Sequence, residues 1–427
     1  MGADALELAV DAMGAAGDGV ARLPDGGGTC FVPLALPGER VRARLGAVRR
    51  GGAALAEPEA LLAASPDRAS PPCAHFPACG GCVLQHWAAA PYAEWKRAKL
   101  SEALARAGYP DAPVAPIRST PPAARRRADL GARRTASGLA LGFHGRGGGA
   151  LVDLHACEVL DPRLVALFDP LRSLLNGLPA LRREGSAVLN LLNTGPDLLL
   201  RTDGALDAAG RTKLAAFAAA HGIPRVAWAL RDGSPEVAAQ LGPASIRFSD
   251  AEVHPPPGAF LQASAAGEVA IREAVLGGLP ARMPARAAVA ELHAGVGTLS
   301  FALAERARVE AFEVSAEAVG ALAAAAGRAG ARIKPVRRDL ARQPLSPAEL
   351  KGFAAVVLDP PFGGAPEQVP LLARARVPRI VYVSCNPAAL ARDAKVFKGA
   401  GYRVLSAVPV DQFLWSPHLE AVAAFSL

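Results

Sequence analysis

Residues 287–300 read AAVAELHAGVGTLS, an apolar run that ends in a glycine-containing turn. Three further apolar runs follow, separated by Ala-rich helical stretches: RVEAFEV at 308–314, AAVVLDPP at 354–361 and RIVYVSC at 379–385. Apolar strands that alternate with helices are typical of a parallel sheet covered by helices on both faces. From residue 255 onward, the sequence therefore predicts an α/β domain with a parallel sheet.

Acidic residues lie at the carboxyl ends of these runs, where open α/β sheets bind their ligands. Glu313 is placed to accept hydrogen bonds from two ribose hydroxyls, and Asp339, which ends the shorter run KPVRRD, is placed to meet an adenine amino group. Asp359 ends the run that begins at residue 354. The glycines of the first turn let the backbone approach a ligand at the head of the next helix. Solvated strand-end acids would explain any one of these residues but not the set, so we predict a nucleotide-type pocket.

Cys385 ends the strand RIVYVS and is followed by Asn-Pro. A free cysteine is often an inert core residue, but a cysteine at a carboxyl strand end before a Pro-containing turn faces the ligand cleft. Its thiolate could add to C6 of a uracil ring, which makes C5 nucleophilic towards a methyl sulfonium. A base must then remove the C5 proton, and the segment His418-Leu-Glu420 offers one. The residues alone do not choose Glu420 over its neighbours.

Four motifs together resemble the catalytic domain of the RNA uracil-5 methyltransferase family: DPPFGG, YVSCNPAALARD, VDQF and HLEAV. The resemblance implies a Rossmann-like, S-adenosylmethionine-dependent methyltransferase domain, with Cys385 as the nucleophile and Glu420 as the general base. It also implies a set of residues that bind S-adenosyl-L-methionine. The set comprises Gln262 of the Phe-Leu-Gln segment, the glycine-turn residues His293, Gly295, Gly297 and Thr298, and the strand-end acids Glu313, Asp339 and Asp359.

Two positions depart from the family pattern. Phe362 stands where an Arg usually follows Asp-Pro-Pro, and His293 stands where the glycine motif usually has another aromatic residue. The first departure affects how the substrate or the loop near Asp359 is held, whereas the second residue could still stack on adenine. A protein that binds RNA without catalysis is therefore an alternative, but the presence of both Cys385 and Glu420 argues against it.

Four of the six cysteines form a pattern in the middle of the chain: Cys73, Cys79 and Cys82 lie close together, and Cys157 follows at a distance. Four thiolates could hold a cuboidal iron–sulfur cluster. They could also hold zinc, which more often uses two paired Cys-x2-Cys arms, or they could be core residues without a ligand. The single pair and the distant fourth cysteine favour iron–sulfur. The CGGC segment and the following LQH also resemble the [4Fe–4S] site of the rRNA-directed family members.

The first 57 residues contain several short strand-like runs separated by glycines, which predict a small β-barrel of the oligonucleotide-binding type. A structural β-domain without a ligand is the alternative. The segments GDGVAR and LPGERVRARL resemble the TRAM domain, an RNA-binding barrel found in many family members. We therefore expect a TRAM-like barrel at 1–57, a mixed α+β iron–sulfur domain that binds RNA at 58–254, and the methyltransferase domain at 255–427.

The chain has 47 Lys and Arg against 39 Asp and Glu, a formal net charge of +8, which permits a polyanionic partner without proving one. The arginines at 125–127 and 133–134 are expected to contact RNA phosphates, with a solvated basic face as the alternative. The barrel and the cysteines together favour 23S rRNA over tRNA as the substrate.

No run of about 18 strongly apolar residues is present, so we expect no membrane span. Asp4 and Glu7 lie where a signal peptide would carry positive charge. A cytoplasmic monomer is the resulting expectation.

Overall fold

The first strands of the chain form a closed barrel. The structure is a computed structural model that describes residues 5–24, 28–48, 54–136, 138–284 and 286–427. Five strands build the barrel: β1 (Leu6–Met13), β2 (Gly19–Arg22), β3 (Thr29–Val32), β4 (Arg40–Val48) and β5 (Ala54–Ala63). They pair in the order β1-β2-β3-β5-β4, so closure leaves no free sheet edge. The predicted barrel is confirmed, and β5 continues past residue 57.

The middle of the chain forms a mixed α+β layer. A long helix and a two-residue strand come first: α1 (Ala89–Arg106) and β6 (Arg118–Ser119). A seven-stranded sheet follows, made of β7 (Arg127–Thr135), β8 (Gly138–His144), β9 (Leu151–Asp153), β10 (Glu184–Leu192), β11 (Gly195–Thr202), β12 (Arg225–Leu230) and β13 (Glu236–Gln240). Its helices are α2 (Pro162–Val165), α3 (Phe168–Asn176) and α4 (Ala208–His221). The strand order is β13-β12-β11-β10-β7-β8-β9, and the buried core lies between sheet residues such as Leu189 and helix residues such as Phe168.

The last part of the chain forms an eight-stranded sheet with helices on both faces. A short hairpin precedes it, β14 (Ile246–Phe248) and β15 (Ala251–Val253). The sheet contains β6 and seven further strands: β16 (Ala288–Leu292), β17 (Arg308–Glu313), β18 (Ile333–Arg337), β19 (Phe353–Leu358), β20 (Arg379–Ser384), β21 (Arg403–Asp411) and β22 (Glu420–Ser426). Its helices are α5 (Ala265–Gly278), α6 (Ser300–Arg306), α7 (Ala316–Ala329), α8 (Pro347–Leu350), α9 (Val369–Ala375) and α10 (Pro387–Gly399).

Strand order in this sheet creates the ligand cleft. The order is β18-β17-β16-β19-β20-β22-β21-β6, in which β16 to β20 are parallel and β22 is antiparallel to both of its neighbours. Strand β16 lies between β17, which follows it directly in the chain, and β19, which comes later. The direction of the strand order therefore reverses at β16, and a crevice opens there at the carboxyl ends of the strands. The predicted α/β sheet is confirmed.

Helix α1 packs against this last sheet although it precedes the central one. Its residues Leu100 and Leu104 share a buried cluster with Phe397 of α10, and β6 pairs with β21. From its sequence, the stretch AEWKRAKLSEALARAGY at 93–109 predicts an amphipathic helix, with apolar residues such as Leu100 and Leu104 on one side and the charges opposite. This is wrong for Lys96, which is fully buried and forms an ion pair with Asp411. In the part of the chain that the structure describes, no helix is long and apolar enough to cross a membrane.

Candidate active site

The crevice above the parallel strands is a cavity of about 560 Å³. Seven of the ten residues predicted to bind the cofactor or to act in catalysis line it: Gln262, His293, Gly295, Glu313, Asp359, Cys385 and Glu420. His293 and Gly295 follow β16, Glu313 ends β17, and Asp359 and Cys385 follow β19 and β20, so the shared carboxyl edge of the parallel strands brings them together. Glu420 begins the antiparallel strand β22, and Gln262 lies in the segment before α5. The other three, Gly297, Thr298 and Asp339, lie outside the lining of this cavity.

The glycine turn after β16 is held by the carboxylate of Glu313. One carboxylate oxygen of Glu313 accepts the backbone N–H of Gly295 at 2.9 Å, and the other accepts that of Ser315 at 2.9 Å. His293 begins the turn and has a positive φ of 64°. Residues other than glycine adopt this backbone conformation only at a cost in free energy, and such residues are often found at ligand sites. Burial lowers the pKa of His293, while the charges of Glu313 and Asp339 oppose that shift, so the imidazole is neutral at pH 7.

Two of the three residues outside the lining shape the turns behind it. Gly297 has a φ of 96°, and a Cβ atom there would lie 2.5 Å from a methyl group of Leu322, so both backbone and packing require glycine. Asp339 accepts the backbone N–H groups of Ala341 and Arg342 at 3.1 and 3.2 Å, which closes the turn after β18. Their roles as cofactor contacts stay predictions.

A chain of side-chain amides joins the acids on the other side of the cavity. Gln262 donates to Asp359 at 3.2 Å. Gln412 donates through its amide nitrogen to the Gln262 oxygen and to Glu420 Oε2, both at 2.8 Å. The site prediction did not include Gln412, although the VDQF motif that contains it was recognised. The sequence could have indicated Gln412 as a site residue, since it is a polar residue at the end of an apolar strand.

Cys385 and Glu420 lie side by side at the ends of neighbouring strands. The register pairs Ser384 with Ala421, which places Cys385, the residue after β20, beside Glu420, the first residue of β22. Glu420 is 4% exposed, and its Oε1 has no hydrogen-bond partner among the described residues. Burial and the charge of Asp359 raise the pKa of Glu420 well above its usual range. Burial, together with Glu420 and Asp359, also raises the pKa of Cys385 to about 11. In the cleft without ligands, the thiol is therefore protonated.

Aromatic and cationic side chains form the rim of the cleft. Phe260 and Phe362 also line the cavity and are 64% and 59% exposed. The guanidinium of Arg127 lies 5.2 Å from the ring centre of Phe260, and that of Arg125 lies 6.0 Å from the ring centre of Phe413. Exposed rings beside cations suit the stacking of unpaired nucleobases.

The arginines of the predicted basic run do not all have the same surroundings. Arg126 is 8% exposed, forms an ion pair with buried Glu268 and donates to the backbone oxygen of Gln262 at 2.9 Å. Arg134 donates to backbone oxygens of the segment after α3, including that of Leu181 at 2.8 Å. The expectation that the whole run contacts phosphates is therefore wrong for Arg126, whose guanidinium is buried and bonded to protein acceptors. For the other arginines of the run it stays a prediction.

Comparisons with known proteins agree with this geometry. The family model described as tRNA (uracil-5-)-methyltransferase matches residues 259–425. An uncharacterized RNA methyltransferase of Caulobacter vibrioides is 41% identical over 434 residues, covering 98% of this chain and 99% of the relative. A 23S rRNA (uracil(1939)-C(5))-methyltransferase of Chromohalobacter salexigens is 37% identical over 428 residues, covering 97% and 88%. This chain belongs to the RNA uracil-5 methyltransferase family.

The methyltransferase shares its fold with a solved structure. The tRNA (uracil-54, C5)-methyltransferase of Pyrococcus abyssi, solved with S-adenosyl-L-homocysteine, has a TM-score of 0.74 and covers 98% of this chain and 100% of its own. Its sequence is 23% identical. The Rossmann-like methyltransferase fold that the sequence predicted is thereby confirmed. The methyltransferase is an S-adenosylmethionine-dependent RNA (uracil-5-)-methyltransferase.

The four cysteines predicted to bind a cluster meet at a second cavity, of about 460 Å³. Cys73, Cys79, Cys82 and Cys157 all line it. Burial and the neighbouring thiols raise the pKa of Cys82 to about 12. Across the described residues, no group of three or more His, Cys, Asp or Glu side chains is arranged to hold a metal ion. The four thiols thus share a cavity, and the iron–sulfur site stays a prediction.

Proposed function

We propose that this methyltransferase transfers a methyl group to C5 of a uridine in 23S rRNA. Cys385 forms a covalent bond to C6 of the base, and Glu420 is the general base. The observation that carries the proposal is the pairing of these two residues at the ends of β20 and β22 within one cleft. The unpartnered, buried Oε1 of Glu420 supports its assignment as the proton acceptor.

The residues of the chain account for each bond that forms and breaks. The Cys385 thiol releases its proton to solvent, and its sulfur adds to C6, which places electron density on C5. C5 then forms a bond to the methyl carbon of the donor as the bond between that carbon and the sulfonium sulfur breaks, with S-adenosylhomocysteine as the leaving group. S-adenosyl-L-methionine supplies the methyl group and a positive sulfonium, whose charge favours the thiolate beside Glu420 and Asp359. Once C5 carries the methyl group, Glu420 takes the C5 proton through Oε1. The bond between sulfur and C6 then breaks, which restores the C5–C6 double bond and the thiolate.

The methyl donor would be held in the half of the cleft formed by the glycine turn. Glu313, with both oxygens fixed by backbone amides, is placed for ribose hydroxyls, and the neutral ring of His293 is suited to stack on adenine. Gln262 and Asp359 lie between this half and Cys385. We propose that Gly297, Thr298 and Asp339 also belong to the cofactor-binding set.

The choice of 23S rRNA rests on the relative and on the accessory parts of the chain. The relative from Chromohalobacter salexigens that is named for 23S rRNA matches nearly the full length. We propose that the barrel is TRAM-like and binds RNA, with exposed arginines such as Arg42 on β4. We also keep the division at residues 57 and 254 as a proposal.

The test uses S-adenosylmethionine with a labelled methyl group and separate pools of unmodified 23S rRNA and tRNA. We expect label in 23S rRNA, recovered as 5-methyluridine after digestion. Label in tRNA alone would reassign the substrate but leave the chemistry in place. Absence of label from both pools, with RNA binding retained, would favour an RNA-binding protein without catalysis.

We propose that Cys73, Cys79, Cys82 and Cys157 hold a [4Fe–4S] cluster. The proposal is supported by the four thiols that line one cavity and by their spacing in the sequence, which has a single close pair and a distant fourth cysteine rather than the two paired arms common in zinc sites. The loop after Cys82 is bonded to the catalytic segment, because the backbone N–H groups of Val83 and Leu84 donate to the oxygen of Trp415 at 2.8 and 3.0 Å. The cluster would therefore support the fold next to the cleft, and methyl transfer requires no electrons from it.

A further inference from the structure

The side-chain amide of Gln412 uses all of its hydrogen-bonding groups inside the cleft. Its oxygen accepts the backbone N–H of Ala263 at 3.0 Å. Its nitrogen donates to Gln262 and to Glu420 Oε2. An amide nitrogen has two hydrogens, so each acceptor receives one.

These contacts fix the orientation of the Gln412 amide. The backbone N–H of Ala263 can only donate, so the atom that faces it must be the amide oxygen. The amide nitrogen then necessarily faces Glu420. As a result, Oε2 of Glu420 is bound by Gln412, whereas Oε1 is left without a partner among the described residues.

A buried polar cluster fixes the backbone at Gln412. The preceding residue, Asp411, forms an ion pair with Lys96 in which both side chains are fully buried. Asp411 also accepts the hydroxyl hydrogen of Tyr92 at 2.7 Å, and Tyr92 in turn accepts the backbone N–H of Trp415 at 2.8 Å. Helix α1 thus holds the chain on both sides of Gln412.

We infer that Gln412 is a positioning residue that holds the carboxylate of Glu420 with one oxygen directed to the substrate, and that it ties this base to Gln262. The inference rests on the proposed role of Glu420. Gln412 transfers no proton itself. Its removal should impair the step that Glu420 performs, which is the loss of the C5 proton after the covalent bond has formed.

The experiment measures single turnover of the full-length Gln412→Met variant with 23S rRNA and saturating S-adenosylmethionine. We expect the covalent protein–RNA intermediate to accumulate on denaturing gels, and product formation to slow by roughly ten- to a hundredfold, because a base displaced by about 1 Å loses rates of this order. The Gln368→Met variant is the matched control. Gln368 is equally buried and lies away from the cleft. Its amide oxygen accepts the backbone N–H of Leu345, and its amide nitrogen donates to the backbone oxygen of the same residue.

A pH profile separates positioning from a general loss of structure. The Gln412 hydrogen bond favours the ionised form of Glu420, against burial and the charge of Asp359. Its loss should therefore move the pH dependence of intermediate breakdown to higher pH. The titratable groups that face Glu420 are Asp359 and Cys385, and both remain in the variant. If the methionine variant does not fold, Gln412→Glu keeps the shape, removes the amide donors and should also accumulate the intermediate.

Two results distinguish failure of this inference from failure of the proposed function. If Glu420→Gln accumulates the intermediate but the Gln412 variants resolve it as fast as Gln368→Met, the positioning role is wrong and the function stands. If Glu420→Gln accumulates no intermediate, or Cys385→Ala remains active, the covalent mechanism itself fails.

Discussion

Replacing Lys96 by Met should strongly destabilise the protein, because it leaves the carboxylate of Asp411 buried without its cation. Both side chains of the pair are fully buried. Removing one partner of such a pair costs about 3–5 kcal/mol. Asp411 would keep the hydroxyl of Tyr92 and the backbone N–H of Phe413, at 2.7 and 3.2 Å, so we expect the lower half of that range.

The double variant Lys96→Met with Asp411→Asn should recover much of this loss. Asparagine keeps an oxygen for the Tyr92 hydroxyl but carries no charge that needs a partner. Lys99→Met is the matched control on the same helix. It removes hydrogen bonds to the backbone oxygens of Pro417 and Ala15 but leaves no buried carboxylate, so it should cost less.

Equilibrium denaturation followed by tryptophan fluorescence measures this change. Three of the four tryptophans report on the region. Trp95 is part of α1, the ring of Trp87 lies 5.8 Å from it, and the backbone N–H of Trp415 is bonded to Tyr92. A Lys96→Met variant within about 1 kcal/mol of wild type at neutral pH, or one no less stable than Lys99→Met, would refute the reasoning.

Three further outcomes follow from the site. Glu420→Gln should permit addition and methyl transfer but slow proton removal by about 10²–10⁴-fold, so that a covalent RNA adduct survives denaturing electrophoresis. If the variant is inactive and forms no adduct, Glu420 is not the base that removes the C5 proton. Protein prepared without oxygen should contain about four iron and four sulfide per chain and absorb broadly near ~400 nm; one zinc and no iron would overturn the cluster. Deleting residues 1–57 should weaken RNA binding and flatten its dependence on salt without moving the methylated uridine; equal salt slopes would show that the barrel does not contact phosphate.

The strands of the catalytic sheet and their chemically important ends could be predicted from the sequence, because both signals are local. Apolar runs identify β16, β17, β19 and β20, and a residue at or just after the end of each of these strands enters the cleft by the topology of parallel strands. Glu313 and Cys385 were located in this way. The motifs near residue 420 came from the family resemblance.

The buried polar pairs could not be predicted, because each depends on a partner that is distant in sequence. Lys96 follows the charge pattern of an exposed helix face, yet its partner Asp411 lies 315 residues later. Arg126 belongs to a basic run, yet it is bonded to Glu268, 142 residues away. Gln412 has the same dependence, since its contact with Gln262 spans 150 residues. Composition and periodicity describe neighbours along the chain, whereas these contacts arise only when the parts pack together.

Covalent catalysis by Cys385 is the central claim, and trapping with fluorinated RNA tests it most directly. In 23S rRNA transcribed with 5-fluorouridine, C5 carries fluorine in place of the hydrogen that Glu420 would remove as a proton, so the intermediate cannot break down. We predict a denaturation-stable conjugate that requires S-adenosylmethionine, whose nucleotide maps to Cys385 by peptide mass spectrometry, and that is absent from Cys385→Ala. A conjugate on another residue, or normal methylation by Cys385→Ala, would contradict the account.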